Sequence, residues 1–550
     1  MEERREHSYI PTLKQQFAEG KVDRREFLRT ATLLGISAGA AYAFVGKVTG
    51  EDFVKPAKAA MPKGGTMRMS MRILAVKDPH TFSWVADSNV VRQVCEYLSK
   101  TSADNVTRPY LLESWEASDD LKTWTLHVRK GIKWHNGRDF TAEDVAWNIN
   151  HVLDANTGSS VLGLMKGYML NEVGEGDDKT TELWDANAIE VVDSHTVRLN
   201  AKQPQLAVPE HLFHYPFLIL DPEEDGKFGV GSNGTGAFNL VRHEVGKISV
   251  LEARDDYWGE GPYLDIVEFH DLGDDASAAL GAIASKQVHG LNEADVLSLD
   301  ALKALPHVQI HEVTTAQTGV ARMKPNGPFA DPKVRKAMRL AIDTEKVLQA
   351  AYRGLGSPGE HHHVSPIHPE YHKLPFMGQD IPAAKALLAE AGHPNGIDAE
   401  IVIQPVSWEQ AAVQAMVEMW KEAGINININ IKPSTQYWET WTKVPFGFTS
   451  WTHRPLGVMV LGLAYRAGVP WNESSYDNPE FDRLLTKAEG ILDVEERRKI
   501  MSELETIMQE DGPIVQPLWR SVFTAMDKRV HGFQMHPTSY MFANEWAIES

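Results

Sequence analysis

Residues 113–153 read ESWEASDDLKTWTLHVRKGIKWHNGRDFTAEDVAWNINHVL, and this stretch carries several structural signals in a row. Residues 123–129 alternate between two sets of side chains with a period of two, which predicts a β-strand. The Asn-Gly pair at 136–137 predicts a tight turn. Thr141 precedes Asp144 by three positions, as in a capping box, so we predict a helix that begins there and runs to about the end of the stretch.

Outside this stretch, helix and strand patterns alternate along the chain, most clearly after residue 330. Gly424 follows the last residue of one predicted helix, and glycine commonly stops helices. Residues 425–431 alternate four isoleucines with three asparagines, which predicts a strand with one buried and one solvated face. The other predicted elements are helices over 332–341, 381–391 and 410–423, and strands over 65–73, 248–253 and 263–270. This alternation favours a mixed α/β sheet.

Residues 113–153 are similar to the signature block of the large solute-binding proteins of peptide/nickel-type ABC importers. This is the bacterial extracellular solute-binding protein family 5, of the dipeptide- and oligopeptide-binding type. Further blocks follow in that family's order and extend the resemblance over essentially the whole chain after residue 60. They are GTGAF with DDYW (234–238, 255–258), PFAD with VRKA and AID (328–343), an A-x-x-L-L-x-E-A-G helix (380–392) and a Y-x-N-P-E-F-D turn (474–482).

The resemblance implies a two-lobed, periplasmic-binding-protein-like α/β fold with an additional domain and a ligand cleft between the lobes. Residues 61–320 would form the first lobe with the additional domain, 321–512 the second lobe, and 513–550 a return to the first. The protein would be a monomer that captures a peptide or a peptide-sized polar solute and delivers it, by lobe closure, to an ABC transporter permease and its ATPase. Such a protein does not change its solute, so we expect no enzyme activity, no catalytic residue and no cofactor.

Residues 1–60 are similar to a twin-arginine signal peptide with a long leader. DRREFLR at 23–29 contains the adjacent arginines, and residues 31–46 are mainly small and apolar. AKA at 57–59 matches the small-x-small pattern that signal peptidases cut. We therefore expect a periplasmic protein exported by the twin-arginine route. The alternatives are an uncleaved membrane anchor or an ordinary helix, although 16 apolar positions are fewer than the roughly 20 of a spanning helix.

The composition bears on the class of partner. The 550-residue chain has a formal charge of −20, and its first 60 residues hold 10 basic and 8 acidic side chains, so the rest is near −22. An acidic body of this kind argues against nucleic acid or anionic lipid as a partner. The single cysteine, Cys95, permits neither an intramolecular disulfide nor a cysteine-based metal cluster, and we expect it to be a buried thiol.

The segment TSWTHRPLG at 449–457 is the best candidate for ligand contact. In dipeptide-binding relatives the corresponding segment is similar to Trp-Thr-Gly-Asp, whose aspartate holds the α-ammonium of the peptide. Trp451 and Thr452 match this pattern, whereas Arg454 stands at the aspartate position. Arginine cannot anchor an ammonium group but pairs with carboxylates and phosphates. Either a peptide lies differently here, or the ligand is another polar solute such as an opine or a sugar conjugate, or Arg454 only pairs with a nearby acid.

Aromatic side chains near this segment would add flat contact area for a peptide or a sugar ring. We expect about two of five to reach the ligand: Tyr437, Trp438, Trp441, Tyr465 and Trp471. The first choice among all aromatic residues is Trp451. The predicted ligand-binding residues are Trp451, Thr452, His453, Arg454, Tyr465 and Trp471.

A histidine run at 361–363, followed by His368 and His372, invites a metal interpretation because imidazole is a common metal ligand. The neighbouring glycine and proline residues favour a solvated loop, with capture of nickel or zinc as the alternative, and we predict no metal ligand here. No pair of carboxylates stands out among the 75 acidic residues as a catalytic pair. Besides a transport protein, the sequence leaves open an enzyme, or a receptor or chaperone built on the same fold.

Overall fold

The computed structural model describes residues 6–50, 61–174 and 180–549, so the cleavage pattern predicted at 57–59 lies outside the described residues. The helices are α1 (Ile10–Ala18), α2 (Arg24–Leu33), α3 (Ala38–Thr49), α4 (Val85–Val91), α5 (Ala142–Leu153), α6 (Val161–Met169), α7 (Val208–His211), α8 (Ala276–Ala284), α9 (Leu299–Lys303), α10 (Pro332–Leu340), α11 (Thr344–Tyr352), α12 (Ile381–Glu390), α13 (Ser407–Glu422), α14 (Ser434–Thr440), α15 (Gly457–Ala464), α16 (Pro479–Glu489) and α17 (Val494–Glu510).

The strands are β1 (Thr66–Ser70), β2 (Ser99–Thr101), β3 (Thr107–Pro109), β4 (Leu112–Ala117), β5 (Thr123–Val128), β6 (Leu170–Val173), β7 (Thr180–Leu183), β8 (Ile189–Asp193), β9 (Thr196–Asn200), β10 (Phe238–Glu244), β11 (Ile248–Ala253), β12 (Ile266–His270), β13 (Gly290–Leu291), β14 (Val308–Met323), β15 (Gly356–Pro358), β16 (Ile397–Ile403), β17 (Ile425–Ile431), β18 (Phe446–Trp451), β19 (Ile514–Asp527), β20 (Val530–His531) and β21 (Ala547–Ile548).

One 11-stranded sheet runs through the molecule in the order β10-β11-β12-β1-β13-β19-β14-β18-β16-β17, with β15 pairing β19. β1 lies parallel to β12 and β13 in one half, and β16 lies parallel to β17 and β18 in the other. The halves meet at β14 and β19, two long antiparallel strands. The mixed α/β sheet predicted from the sequence is therefore confirmed.

The 113–153 stretch contributes to a separate antiparallel sheet of order β4-β5-β9-β8. Its predicted strand is β5, and its predicted helix is α5, which packs on β8 and β9. The predicted capping box is present, since the N–H of Thr141 donates to Oδ2 of Asp144 at 2.9 Å. The helix begins at Ala142 and ends at Leu153, as the sequence predicts.

The other predicted elements are also found, with ends that differ by up to about three residues. Gly424 has a φ of +82°, a left-handed conformation that glycine adopts without strain, and β17 follows it directly. The first residues of β17 alternate between buried and exposed, as predicted, whereas Ile431 at its end is exposed. Cys95 is buried, also as predicted.

The N-terminal helices α1, α2 and α3 pack against the rest of the protein. Arg24 and Arg25 are exposed in the first turn of α2, whereas Phe27 on the same helix is buried. The indole N–H of Trp115 donates to the carbonyl of Leu33 at 2.8 Å and ties the end of α2 to β4. Within the described ranges, the helices are all too short or too polar to cross a membrane.

Buried apolar side chains form two clusters. One cluster contains the N-terminal elements together with α15, α16 and α17, and the other contains most of β14, α10 to α13 and β16. Because residues 456–508 pack with the first cluster, apolar packing alone does not divide the chain at 321 and 512. The predicted lobe boundaries remain a prediction.

Candidate ligand cleft

A cavity of about 260 Å³ is lined by segments from both halves of the long sheet. The end of β1, the residues before α4 and the segment after β13 contribute on one side. The start of α13, the helix α14 and the end of β18 contribute on the other. Arg520 of the shared strand β19 also reaches the cavity. The cleft predicted between two parts of the chain is therefore present as a cavity that is partly open to solvent.

Arg454 lines the cavity as a buried cation without a counter-charge. It is 3% exposed, and among the described residues no carboxylate lies within ion-pair distance of it. Its Nη1 donates to O and Oγ1 of Thr452 and to O of His453, at 3.2, 2.5 and 2.9 Å. Its Nε has no hydrogen-bond partner. The guanidinium lies 5.4 Å from the ring centre of Tyr215. The alternative of a simple pair with a nearby acid is therefore not found among the described residues.

Tryptophan rings form much of the cavity wall. Trp441, Trp451 and Trp471 pack edge to face, with ring centroids 5.9 to 6.2 Å apart. Trp84, from the other half of the molecule, stacks on Trp438 with centroids 6.0 Å apart and planes 19° apart. Nε1 of Trp438 is buried without a hydrogen-bond partner. Flat rings of this kind accept many ligand shapes.

A buried carboxylate fixes the end of β18, where the predicted site begins. Glu473 accepts hydrogen bonds from Nε1 of Trp451 at 2.9 Å, from Oγ1 of Thr449 at 2.6 Å and from Nε of Arg322 at 2.6 Å. Since the arginine is fully buried, its charge compensates that of Glu473. The indole of Trp451 is therefore held in place before any ligand arrives.

A second group of charges lines the cavity wall near Arg520 and the start of α13. Arg520 forms an ion pair with Glu293, donates to Oε1 of Gln317 at 2.7 Å and lies 4.8 Å from the ring centre of Trp408. Close by, Glu409 accepts hydrogen bonds from Ser450 and Gln404. Burial raises the pKa of Glu409 to about 7. This wall can therefore offer a carboxyl group that is partly protonated at neutral pH.

The structure places two of the six predicted ligand-binding residues outside this cavity. His453 does not line the cavity, because its Nδ1 accepts from the N–H of Ala316 at 3.1 Å and its Nε2 bonds Oδ1 of Asn105 at 3.0 Å. Tyr465 is buried elsewhere, with its hydroxyl on Nδ1 of His363 at 2.6 Å. Trp451, Thr452, Arg454 and Trp471 all line the cavity, and their contact with a ligand remains a prediction.

The solvated loop predicted at 361–363 is wrong, because all three histidines are buried. Nδ1 of His361 accepts from the N–H of Gln516 at 3.1 Å, and Nδ1 of His362 accepts from the N–H of Val364 at 3.2 Å. Burial lowers the pKa of both imidazoles to about 3. The composition of this segment correctly indicates a loop. It gives no sign that Nδ1 of His361 and Nδ1 of His362 accept hydrogen bonds from backbone N–H groups in a buried loop. Among the described residues, Nε2 of all three histidines has no hydrogen-bond partner.

The sequence patterns do not predict several of the residues that line the cavity. Trp84, Trp408, Glu409 and Arg520 all reach the cavity, yet they lie far from the 449–457 segment in sequence. Of the five nearby aromatic residues, Trp438, Trp441 and Trp471 line the cavity, whereas Tyr437 and Tyr465 do not. The missed charges have only one signal in the sequence. Glu409 and Arg520 are charged residues at positions of a helix and a strand that otherwise carry buried apolar side chains. Such interruptions are too common in proteins to identify a site.

Comparison with known proteins agrees with this architecture. Heme-binding protein A of Haemophilus influenzae is 26% identical over 495 residues, which cover 83% of this chain and 87% of that protein. The periplasmic oligopeptide-binding protein OppA of Escherichia coli is 24% identical, over 80% of this chain and 84% of that protein.

Solved structures show the same fold. DppA from Helicobacter pylori, in complex with the peptide STSA, has a TM-score of 0.77 at 20% identity and covers 89% of this chain and 99% of that chain. AgaA from A. tumefaciens R10, in complex with agropinic acid, has a TM-score of 0.78 at 22% identity and covers 88% of this chain and 99% of that chain. These are two-lobed periplasmic binding proteins, so the predicted fold class is confirmed.

The sequence model of the bacterial extracellular solute-binding proteins, family 5 (middle region), matches residues 107–460. This match includes the 113–153 stretch, Arg454 and part of each side of the cavity, whereas Trp84 and Arg520 lie outside it. It spans well over half of the chain. The protein therefore belongs to the bacterial extracellular solute-binding proteins of family 5.

Proposed function

We propose that the protein is the capture subunit of an ABC importer. It binds a peptide or a peptide-sized polar solute in the cleft, closes over it and delivers it to a membrane permease and its ATPase. The observation that carries this proposal is the cavity itself, which side chains from both halves of the sheet line together. A ligand that touches both walls stabilises the closed arrangement over the open one. Relatives named as oligopeptide- and dipeptide-binding proteins support a peptide-sized guest.

A second candidate ligand is an anionic solute that is not a peptide. Arg454 favours it, because a buried guanidinium without a carboxylate partner binds a carboxylate or phosphate group in two-pronged fashion. The similar structure of AgaA contains agropinic acid. Tryptophan walls suit the ring or chain that such a ligand would carry.

A thermal-shift screen distinguishes these ligands, because a ligand that prefers the native state raises the melting temperature. The panel contains di- to pentapeptides, opines, sugar conjugates and oligosaccharides, and each hit is followed by calorimetry and small-angle scattering. We expect one class to bind in a 1:1 ratio, to contract the protein and to be recovered unchanged. Failure of every class to bind, or consumption of a compound at catalytic turnover, would contradict the proposal.

The proposal includes export to the periplasm by the twin-arginine route. Its support is the DRREFLR segment with Arg24 and Arg25 exposed, and the periplasmic names of relatives such as OppA. The test fuses residues 1–60 to a reporter that is active only after folded export. Replacement of Arg24 and Arg25 by lysine is expected to abolish export, whereas the same replacement at Arg4 and Arg5 is not. Export that survives the first change would contradict this route.

A further inference from the structure

Asp78, His80 and His151 lie together outside the cleft cavity, where the segment after β1 meets the last turn of α5. Nδ1 of His80 lies 2.8 Å from Nδ1 of His151, and Nε2 of His151 lies 3.9 Å from Oδ2 of Asp78. One donor atom from each residue lies within 4.8 Å of the other two. His151 faces His80 through Nδ1 and Asp78 through Nε2, so an ion shared by all three residues would bind one of these two nitrogens.

The ring of His80 is held with one nitrogen available to a ligand. Its Nε2 donates to the carbonyl of Leu218 at 2.7 Å, and a carbonyl can only accept, so the proton of the neutral ring is on Nε2. The bare lone pair of Nδ1 therefore points at His151. A carbonyl behind the distal nitrogen is the usual support of a metal-binding histidine.

Packing and a hydrogen bond also fix the side chains of His151 and Asp78. The ring of His151 stacks on Trp147, one turn earlier in α5, with centroids 4.7 Å and planes 12° apart. Gly226 lies against the edge of this ring, and a Cβ atom at position 226 would be only 2.9 Å from it. Oδ1 of Asp78 accepts from the N–H of His80 at 3.0 Å, which leaves Oδ2 directed toward His151.

We propose that Asp78, His80 and His151 form a binding site for a divalent cation of the zinc type, with water completing the coordination. Two nitrogen ligands and one carboxylate oxygen are a donor set that Zn²⁺ accepts, at bond lengths of about 2.0 to 2.2 Å. The side chains of His151 and Asp78 are 21% and 31% exposed, which gives the ion a path from solvent. The cation would join the loop after β1 to α5, independently of any ligand in the cleft.

The experiment titrates Zn²⁺ into the full-length, tag-free protein after treatment with a chelator, with calorimetry and elemental analysis as readouts. We expect one saturable site, and at least tenfold weaker binding in both His151→Gln and Asp78→Asn. His127→Gln is the matched control, because His127 Nε2 also lies beside a carboxylate, Glu116, at 3.3 Å but has no second imidazole. It should bind Zn²⁺ like the unaltered protein.

Two outcomes would overturn the proposal. The first is no saturable Zn²⁺ binding by the unaltered protein, which would make the contact of His80 with His151 an ordinary hydrogen bond. The second is binding that both variants retain, which would place the ion elsewhere. His151 and Asp78 are partly exposed, so the variants should fold, and melting curves recorded with chelator present check this directly.

Discussion

At the scale of a single residue, Arg454 is the basis for predicting that the cleft selects for charge. Its neighbours Thr452 and His453 supply neutral acceptors to Nη1, so an anionic group on the ligand would supply a counter-charge that the described residues do not. We predict that Arg454→Ala weakens an acidic ligand at least tenfold, or about 1.4 kcal/mol or more. Calorimetry with the ligand found in the screen measures this change.

Arg72 supplies a matched control for that prediction. It also lines the cavity, but it is already paired with Asp271 and Asp274. Arg72→Ala should therefore change the affinity less than threefold. Equal affinities of Arg454→Ala and the unaltered protein for an acidic ligand would remove the anion-binding role.

The raised pKa of Glu409 leads to a prediction about how the stability of the protein depends on pH. Burial raises its pKa to about 7, whereas an unfolded glutamate titrates near 4.3. Between these values the folded state binds more protons, so the free energy of unfolding falls as pH rises through this window. Glu409→Gln removes this loss in the free energy of unfolding, which is on the order of 3 kcal/mol over the whole titration. Denaturant unfolding at pH 5 and pH 8 should therefore give a smaller difference for the variant.

Glu418→Gln, an exposed change on the same helix α13, should leave the pH dependence of unfolding as it is. If Glu409→Gln and Glu418→Gln both keep the full slope of the unaltered protein, then Glu409 is ionised in the folded state and the raised pKa is wrong.

At the scale of an element, the start of α5 depends on one buried carboxylate. Asp144 accepts from the N–H of Thr141 at 2.9 Å, from Nε1 of Trp134 at 3.1 Å and from Nη1 of Arg138 at 2.8 Å. Asp144→Ala leaves all three donors without this acceptor. We predict a loss of roughly 2 to 4 kcal/mol in the free energy of unfolding.

The nearby exposed acid Asp139, which pairs with Lys133, is the control for that loss. Asp139→Ala should change stability by less than about 0.5 kcal/mol. Equal effects of the two alanine changes, measured by denaturant titration, would show that the buried cap does not stabilise the helix.

The elements themselves could be predicted from the sequence because their causes are local. The capping pair of α5, the glycine after α13 and the alternation in β17 each fix an element within a few residues of chain. The loop at 361–363 could not be predicted in the same way. Its burial depends on Gln516, which is distant in sequence and reaches the loop only because β15 pairs with β19.

At the scale of the whole molecule, the cavity combines segments that are hundreds of residues apart. The resemblance of 449–457 to a known ligand segment pointed to Trp451 and Arg454, and both residues line the cavity. It could not identify Trp84 or Arg520, because their place in the cavity follows from how the sheet joins its two halves. Local sequence patterns contain no information about contacts between segments that are distant in sequence, so this part of the site required the structure.

Trp84 and Trp438 allow a direct test of closure. By the predicted boundaries they belong to different lobes, yet their rings stack across the cavity at 6.0 Å. If the lobes open when the ligand leaves, this stack exists only in the closed state and adds to the apparent ligand affinity. A double-mutant cycle of Trp84→Ala and Trp438→Ala, read out by calorimetry, should give a coupling energy of about 0.5 to 1.5 kcal/mol. Small-angle scattering should show that each variant needs more ligand to contract.

Trp184→Ala is the control for this closure test, because Trp184 lies outside the cavity and its indole N–H donates to the carbonyl of Asn200. This variant should change neither the calorimetry nor the scattering. A coupling energy near zero would mean that the two rings stack equally in the free and bound protein, and closure would then have to occur about some other contact.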